Sequence, residues 1–342
     1  MEQGLRDLVP PVVVREALYA ALRGEGVPES CLWEPLVAAA SPQGLLPNLY
    51  YALKPFAQQI PMDLRVALHL EYRQAIVRSL RSHTQLRRIL EALQGAGIEV
   101  AVLKGPSIAA RYPDPALRPY GDIDLLVRDS ALEPACGVLQ QLGYALERPM
   151  DWMRKHYNHL PALVPKEGWP VELHGSPTVP GEPLEIQAEP LWERLVGLQT
   201  ERLSYQGLDP VDQVMYVVQH AFAHHRFAQG LRPILDLGAI TAAWPEGAWA
   251  RLAQRANTAG WQVCLDLAFR LVGHILHQPL PDLGGALPRG SKPDLGWAEQ
   301  LLWTMPHASV DVTLVESMAQ GGLSARLRRL LGYVFLPPEA MS

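Results

Sequence analysis

The chain has 342 residues, 48% of them hydrophobic, enough to bury a sizeable core and to form two or three subdomains. Its net charge of −5 argues against indiscriminate nucleic-acid binding, which goes with a basic balance, while leaving room for a local basic groove. Cys31, Cys136 and Cys264 are the only cysteines; they lie far apart without zinc-type spacing and read as buried thiols in a reducing compartment. The segment Met1–Asp7 lacks the basic-then-apolar order of a signal peptide, and no apolar run approaches the ~18 residues of a membrane span. The expectation is a bacterial-type cytoplasmic protein with no membrane partner.

Residues 1–94 read as an N-terminal helical region. Its clearest element is predicted from about Asp63 to Leu93, where Leu64, Leu68, Tyr72, Ile76, Leu86, Leu90 and Leu93 recur at helical spacing. Arg65, Arg73, Arg78, Arg81, Arg87 and Arg88 populate the rest of that helix, a pattern that first suggests a solvated face. Gly95 and Gly97 end it. The texture then changes. Ile98–Leu103 is a β-branched strand candidate, Gly105 supplies a turn, and Pro106 suits a first helical position in a short helix to about Arg111. Gly121–Val127 is predicted as the next strand, Ser130–Leu142 as a helix, and Tyr144–Glu147 as a third strand. Residues 159–164 and 170–174 fit a hairpin, so residues 95–205 form a small α/β core.

Beyond it, residues 206–342 read as a C-terminal helical region. Helices are predicted over Val211–Ala228, Pro233–Trp244 and, as a pair, Ala248–His277. The Pro- and Gly-rich stretch 279–296 reads as a mobile loop, and Ser324–Tyr333 as a short basic amphipathic helix.

The chemistry concentrates at Asp122-Ile123-Asp124-Leu125-Leu126-Val127. Side chains at i and i+2 of a strand share a face, so Asp122 and Asp124 converge while Ile123, Leu125 and Val127 point to the core. Adjacent carboxylates in a low-dielectric setting repel unless a cation joins them. A divalent metal of the oxygen-preferring kind, Mg²⁺ or Mn²⁺, resolves this. Metal-dependent phosphoryl transfer commonly needs a third carboxylate on a neighbouring strand, and Glu172, in Val171-Glu172-Leu173-His174, is the candidate. The Leu103-Lys104-Gly105-Pro106-Ser107 turn would seat nucleotide phosphates, with Ser107 donating to the β- or γ-phosphate. Lys104 and Arg118 would counter charge on the leaving pyrophosphate. His220, His224 and His225 fall on one predicted helix, but Ala221 stands where a zinc protease motif has Glu, so structural or substrate-contacting roles are favoured over zinc. His156, His159 and His174 are unassigned, although His174 shares a strand face with Glu172.

This succession of Leu-Lys-Gly, an Arg, Gly-Asp-Ile-Asp-Leu-Leu-Val and Val-Glu-Leu-His resembles the uncharacterised bacterial nucleotidyltransferases of the DNA polymerase beta-like superfamily. The resemblance implies an α+β fold: a small mixed-sheet nucleotidyltransferase core flanked by N-terminal and C-terminal helical subdomains. It implies a Gly-Ser turn at Gly105 and Ser107, a metal pair at Asp122 and Asp124, and a third carboxylate at Glu172. Pro106 departs from the wider superfamily, which has Gly or Ser there. The segment Tyr216–Asp236, with His220, His224, Arg232 and Asp236, looks like the helical part of the family. The terminal Phe335-Leu336-Pro337-Pro338 resembles an element that more chain follows.

The expected function is Mg²⁺-dependent transfer of a nucleoside monophosphate from a nucleoside triphosphate to an acceptor hydroxyl, on a small molecule, a peptide or RNA. Two alternatives accompany it. One is an enzyme directed at RNA, such as a tRNA end, or at protein, for which the arginine-rich helix is the support. The other is a non-catalytic interaction module that keeps the fold.

Overall fold

The computed structural model describes residues 9–149, 158–179, 181, 183–200, 203–242, 244, 247–256, 259–278 and 294–304. They form two compact units, one from residues up to 69 and from 217 onward, the other from Leu70–Tyr216. The first unit opens with helices α1 (Val12–Leu22), α2 (Trp33–Ala40) and α3 (Leu46–Leu53), and α4 (Met62–Gly95) runs from it into the second.

The second unit is built on a seven-stranded mixed sheet. In chain order its elements are β1 (Val100–Val102), α5 (Pro106–Ala109), β2 (Ile123–Val127), α6 (Leu132–Gln141), β3 (Ala145–Leu146), β4 (Leu163–Val164), β5 (Val171–His174), α7 (Ala188–Trp192), β6 (Val196–Gln199), β7 (Ser204–Gly207) and α8 (Pro210–Val218). The sheet order is β3-β4-β5-β2-β1-β7-β6. β2 lies parallel to β5 and antiparallel to β1, and β1 lies parallel to β7. Alternation along the strands separates two faces. Ile123, Leu125, Val127, Val171 and Leu173 go into one core with Leu86, Ile89 and Leu93 of α4 and Leu132, Cys136 and Leu139 of α6. The other face carries Asp124, Glu172 and His174.

The predicted long helix, the strands at 98–103, 121–127 and 144–147, and the 159–174 hairpin all appear, with bounds shifted by a few residues. The β6–β7 hairpin is new. Its residues 196–207 carry Gly197, Gln199 and Gly207, a weak β signal, and β7 is held by tertiary pairing with β1. Gly207 makes room for the Leu198 side chain of β6, because a Cβ there would lie 2.6 Å from Leu198 Cδ1.

The first unit resumes after α8. The single helix predicted over 211–228 divides: α8 gives way to a π-helical turn over Gln219–His224, and Arg226 and Phe227 then adopt φ of 48° and 69°. α9 (Arg232–Thr241), α10 (Ala248–Arg255), α11 (Ala259–Leu276) and α12 (Leu295–Thr304) complete it. A polar knot holds α12 to α1: Tyr19 Oη donates to Glu299 at 2.8 Å, Arg15 pairs with the same carboxylate, and Trp303 Nε1 donates to Tyr19 Oη at 3.1 Å. Burial and the Glu299 charge push the Tyr19 phenol well above its ordinary range, so it stays a donor. Among the described residues no helix is long and apolar enough to cross a membrane. Of the loop predicted over 279–296, residues 279–293 lie outside the described residues, and α12 already begins at Leu295; the basic helix predicted at 324–333 lies outside them too.

Candidate active site

The site is assembled by strand register. Parallel pairing of β2 with β5 sets Asp124 opposite Glu172 and Leu126 opposite His174, so Asp124, Glu172 and His174 emerge on the same sheet face. β1 then brings a cation to them. The amide of Leu103 donates to the carbonyl of Asp124 at 3.1 Å, which places the next residue, Lys104, beside the Asp124 side chain. Lys104 Nζ lies 3.2 Å from Asp124 Oδ1, and the carboxylate is fully buried.

His174 Nε2 lies 3.1 Å from Asp124 Oδ1 and 3.4 Å from Glu172 Oε2. Its other ring nitrogen faces the Asn158 amide at 3.4 Å, and the ring of His159 lies 5.0 Å away between centroids. Among the described residues, Asp124, Glu172 and His174 form the group whose ligand atoms all fall within 4.8 Å of one another. Two carboxylates fit a hard divalent ion such as Mg²⁺, and the added imidazole suits Mn²⁺ and softer ions as well. The donor set therefore fits a divalent cation.

Asp122 stands just outside this group. It precedes the first residue of β2, where strand alternation is not yet enforced, and it is half-buried. Burial, and next the charge of Asp124, push its carboxyl up to about 6, while Lys104 and Arg118 pull the other way. Burial also opposes charge on Lys104, His174 and Glu172, but their mutual attraction wins. Lys104 and His174 are held above their ordinary values, chiefly by Asp124, and Glu172 is held below its own, chiefly by its hydrogen bond with His174. Tyr216, fully buried on α8, lies within electrostatic reach of Lys104 and all three carboxylates.

The turn after β1 has a specific local cause. Gly105 adopts φ 58°, ψ −105°, a conformation that a side chain disfavours strongly. Ser107 is fully buried, and its hydroxyl donates to the Leu103 carbonyl at 3.1 Å and receives the Gln213 amide at 3.3 Å. Through these two bonds Ser107 braces the turn and ties it to α8. Arg118 is buried, close enough to Asp122 to lower its carboxyl.

Of the residues expected from sequence, the structure brings Asp122, Asp124, Glu172, Lys104, Gly105 and Arg118 into one neighbourhood. His174 enters that neighbourhood as a full member, which sequence reading left unassigned. Its signal was the i+2 spacing from Glu172 on a strand. His220, His224 and His225 belong to the other unit: His220 Nε2 and His225 Nε2 lie 3.1 Å apart, and the Gln229 amide meets His220 Nδ1 at 3.1 Å. With the Gln229 amide donating to His220 Nδ1, the His220 Nε2–H donates to His225 Nε2.

A mixed sheet with paired carboxylates and a glycine turn beside them is the arrangement of a nucleotidyl-transfer core. The profile of the family described as uncharacterised nucleotidyltransferase matches residues 29–277, and the chain belongs to that family. It is accordingly a nucleotidyltransferase, acting on a nucleotide substrate. No curated protein matches the chain.

Proposed function

We propose that the protein transfers a nucleoside monophosphate from a nucleoside triphosphate to an acceptor hydroxyl, with a Mg²⁺ or Mn²⁺ ion as cofactor. The observation that carries this reading is the register of β2 and β5, which sets Asp124 against Glu172 with His174 and Lys104 in contact. A divalent cation held by Asp122, Asp124 and Glu172, with His174 adjoining, would neutralise the triphosphate and lower the barrier to attack at its α-phosphorus.

The chain's own residues do the rest. Glu172, kept ionised by its hydrogen bond with His174, takes the proton of the acceptor hydroxyl. The acceptor oxygen bonds to the α-phosphorus, the bond from that phosphorus to the β-phosphate oxygen breaks, and pyrophosphate departs with the electron pair. Lys104 and Arg118 counter the charge that builds on it. Gly105, lacking a side chain, lets phosphate approach the backbone, and Ser107 keeps the turn in shape. The free cysteines, Cys136 and Cys264 buried among them, support a cytoplasmic setting.

The test is a transfer assay with α-labelled triphosphates against cell extract. Asp124→Asn is expected to lower incorporation by at least about 100-fold with an unchanged circular dichroism spectrum. Undiminished incorporation in that variant refutes the reading.

A further inference from the structure

The acceptor is the open part of that reading, and a second feature of the sheet unit bears on it. A groove of about 970 Å³ runs between α4 and the segment leading into β5, lined among others by Arg81, Arg88, Tyr144, Lys166 and Trp169. On the other side of Trp169 a smaller cleft continues past Arg78 to Arg118 and Tyr120. Tyr120 is two residues from Asp122, and Arg118 acts on the Asp122 carboxyl. Trp169 is common to both clefts, which ties the groove to the neighbourhood of the candidate site.

The charges along this path are unusual for the chain. Arg78, Arg81, Arg88 and Lys166 form no ion pair among the described residues, whereas Arg87, turned off the groove, pairs with Glu91. Glu167 also lines the groove, but these four cations of the two clefts outnumber it, a balance that favours an anionic ligand in a protein of net charge −5. Arg81 and Arg88 are two helical turns apart, roughly 10 Å along α4, a separation that one small anion does not bridge. Trp169 is fixed as a platform. Its backbone amide and carbonyl both bond the Gln85 side chain, at 2.9 and 2.6 Å, and its indole N–H donates to Tyr120 O at 3.0 Å. Gly168 permits this, since a Cβ there would strike Gln85 Oε1 at 2.3 Å. Spaced cations beside rigid aromatic rings are the chemistry that holds phosphates and stacks bases.

We infer that the groove binds the 3′ end of a single-stranded nucleic acid and that its terminal hydroxyl is the acceptor. The inference rests on the nucleotidyl-transfer reading of the site. The 3′ oxygen bonds to the α-phosphorus of the nucleoside triphosphate, its proton passes to Glu172, and pyrophosphate leaves, so the strand gains one nucleotide.

The experiment is fluorescence anisotropy with the full chain and a labelled twelve-nucleotide oligoadenylate RNA, with its DNA counterpart alongside, across a salt series. The wild type is expected to bind at low salt and weaken as salt rises. Arg81→Ala/Arg88→Ala should weaken binding at least tenfold and flatten the salt slope by roughly 1.4, two lost phosphate contacts on a single strand. Both side chains are exposed, so the variant should fold, and Arg87→Ala should bind as wild type does. Asp124→Asn should still bind the oligonucleotide but not extend it, so a failed groove and a failed transfer site give different results. No binding by the wild type at low salt, equal binding by the double variant, or transfer of label to protein alone overturns the inference.

Discussion

Asp122 carries the pH dependence of the site. Its carboxyl is raised from the ordinary aspartate value to about 6 by burial and by Asp124. A raised folded-state value means that the folded protein binds this proton more tightly than the unfolded chain. The associated stability is complete below the ordinary aspartate range and is lost as pH rises through about 6. Thermal unfolding of the metal-free protein should therefore show Asp122→Asn gaining on the wild type between about pH 4 and 6. With the cation below saturation, transfer should move in the opposite sense, rising as pH passes through about 6, because proton and cation compete for Asp122. Cation affinity that does not change over that range would argue against Asp122 as a ligand. The sequence showed two of these carboxylates plainly, since Asp-x-Asp within an apolar strand has few other uses, and offered Glu172 as the candidate for a third. It did not show the place of His174, because which strand pairs with which register is a tertiary property. Nor did it show that the Ser107 hydroxyl bonds the Leu103 carbonyl and the Gln213 amide.

At the scale of elements, the turn joining β1 to α5 is set by one glycine. A Cβ on Gly105 would meet the Tyr120 ring at 3.4 Å and Asp122 O at 3.5 Å, which are tolerable contacts. The cost of Gly105→Ala is conformational, about 1–3 kcal/mol for a residue held at φ 58°, ψ −105°. Denaturant unfolding should read that loss, and triphosphate affinity should fall with it, because Lys104 and Leu103 are positioned by the same turn. An unchanged midpoint in Gly105→Ala would mean that the turn relaxes freely. Elements with strong local signals were legible: the apolar stripe from Leu68 to Leu93 gave α4, and β-branched runs gave β1 and β2. The β6–β7 hairpin was not, since its pairing with β1 outweighs a composition that by itself favours a loop. The π-helical turn at Gln219–His224 was equally hidden behind a continuous helical pattern.

For the whole molecule, a ligand that binds only the folded state adds RT ln(1 + [L]/Kd) to its stability. Mn²⁺ or Mg²⁺ at about 100 times its dissociation constant should therefore contribute roughly 2.7 kcal/mol, visible as a rise in melting temperature. Asp124→Asn should abolish that rise; an equal rise in the variant would place the ion elsewhere.

The contact of Lys104 with buried Asp124 has a consequence for how the enzyme waits. A tethered ammonium already sits where charge compensation is needed, so a bare ion must displace it, whereas a metal–nucleotide complex offers the lysine phosphate oxygens in exchange. Lys104→Met strips away this placeholder and leaves His174 as the cationic partner of the buried Asp124 carboxylate, at a cost below the roughly 3–5 kcal/mol of a wholly unpaired buried charge. Such a protein should be fragile in chelator, recover on adding Mn²⁺, and grip the free ion more tightly than its parent.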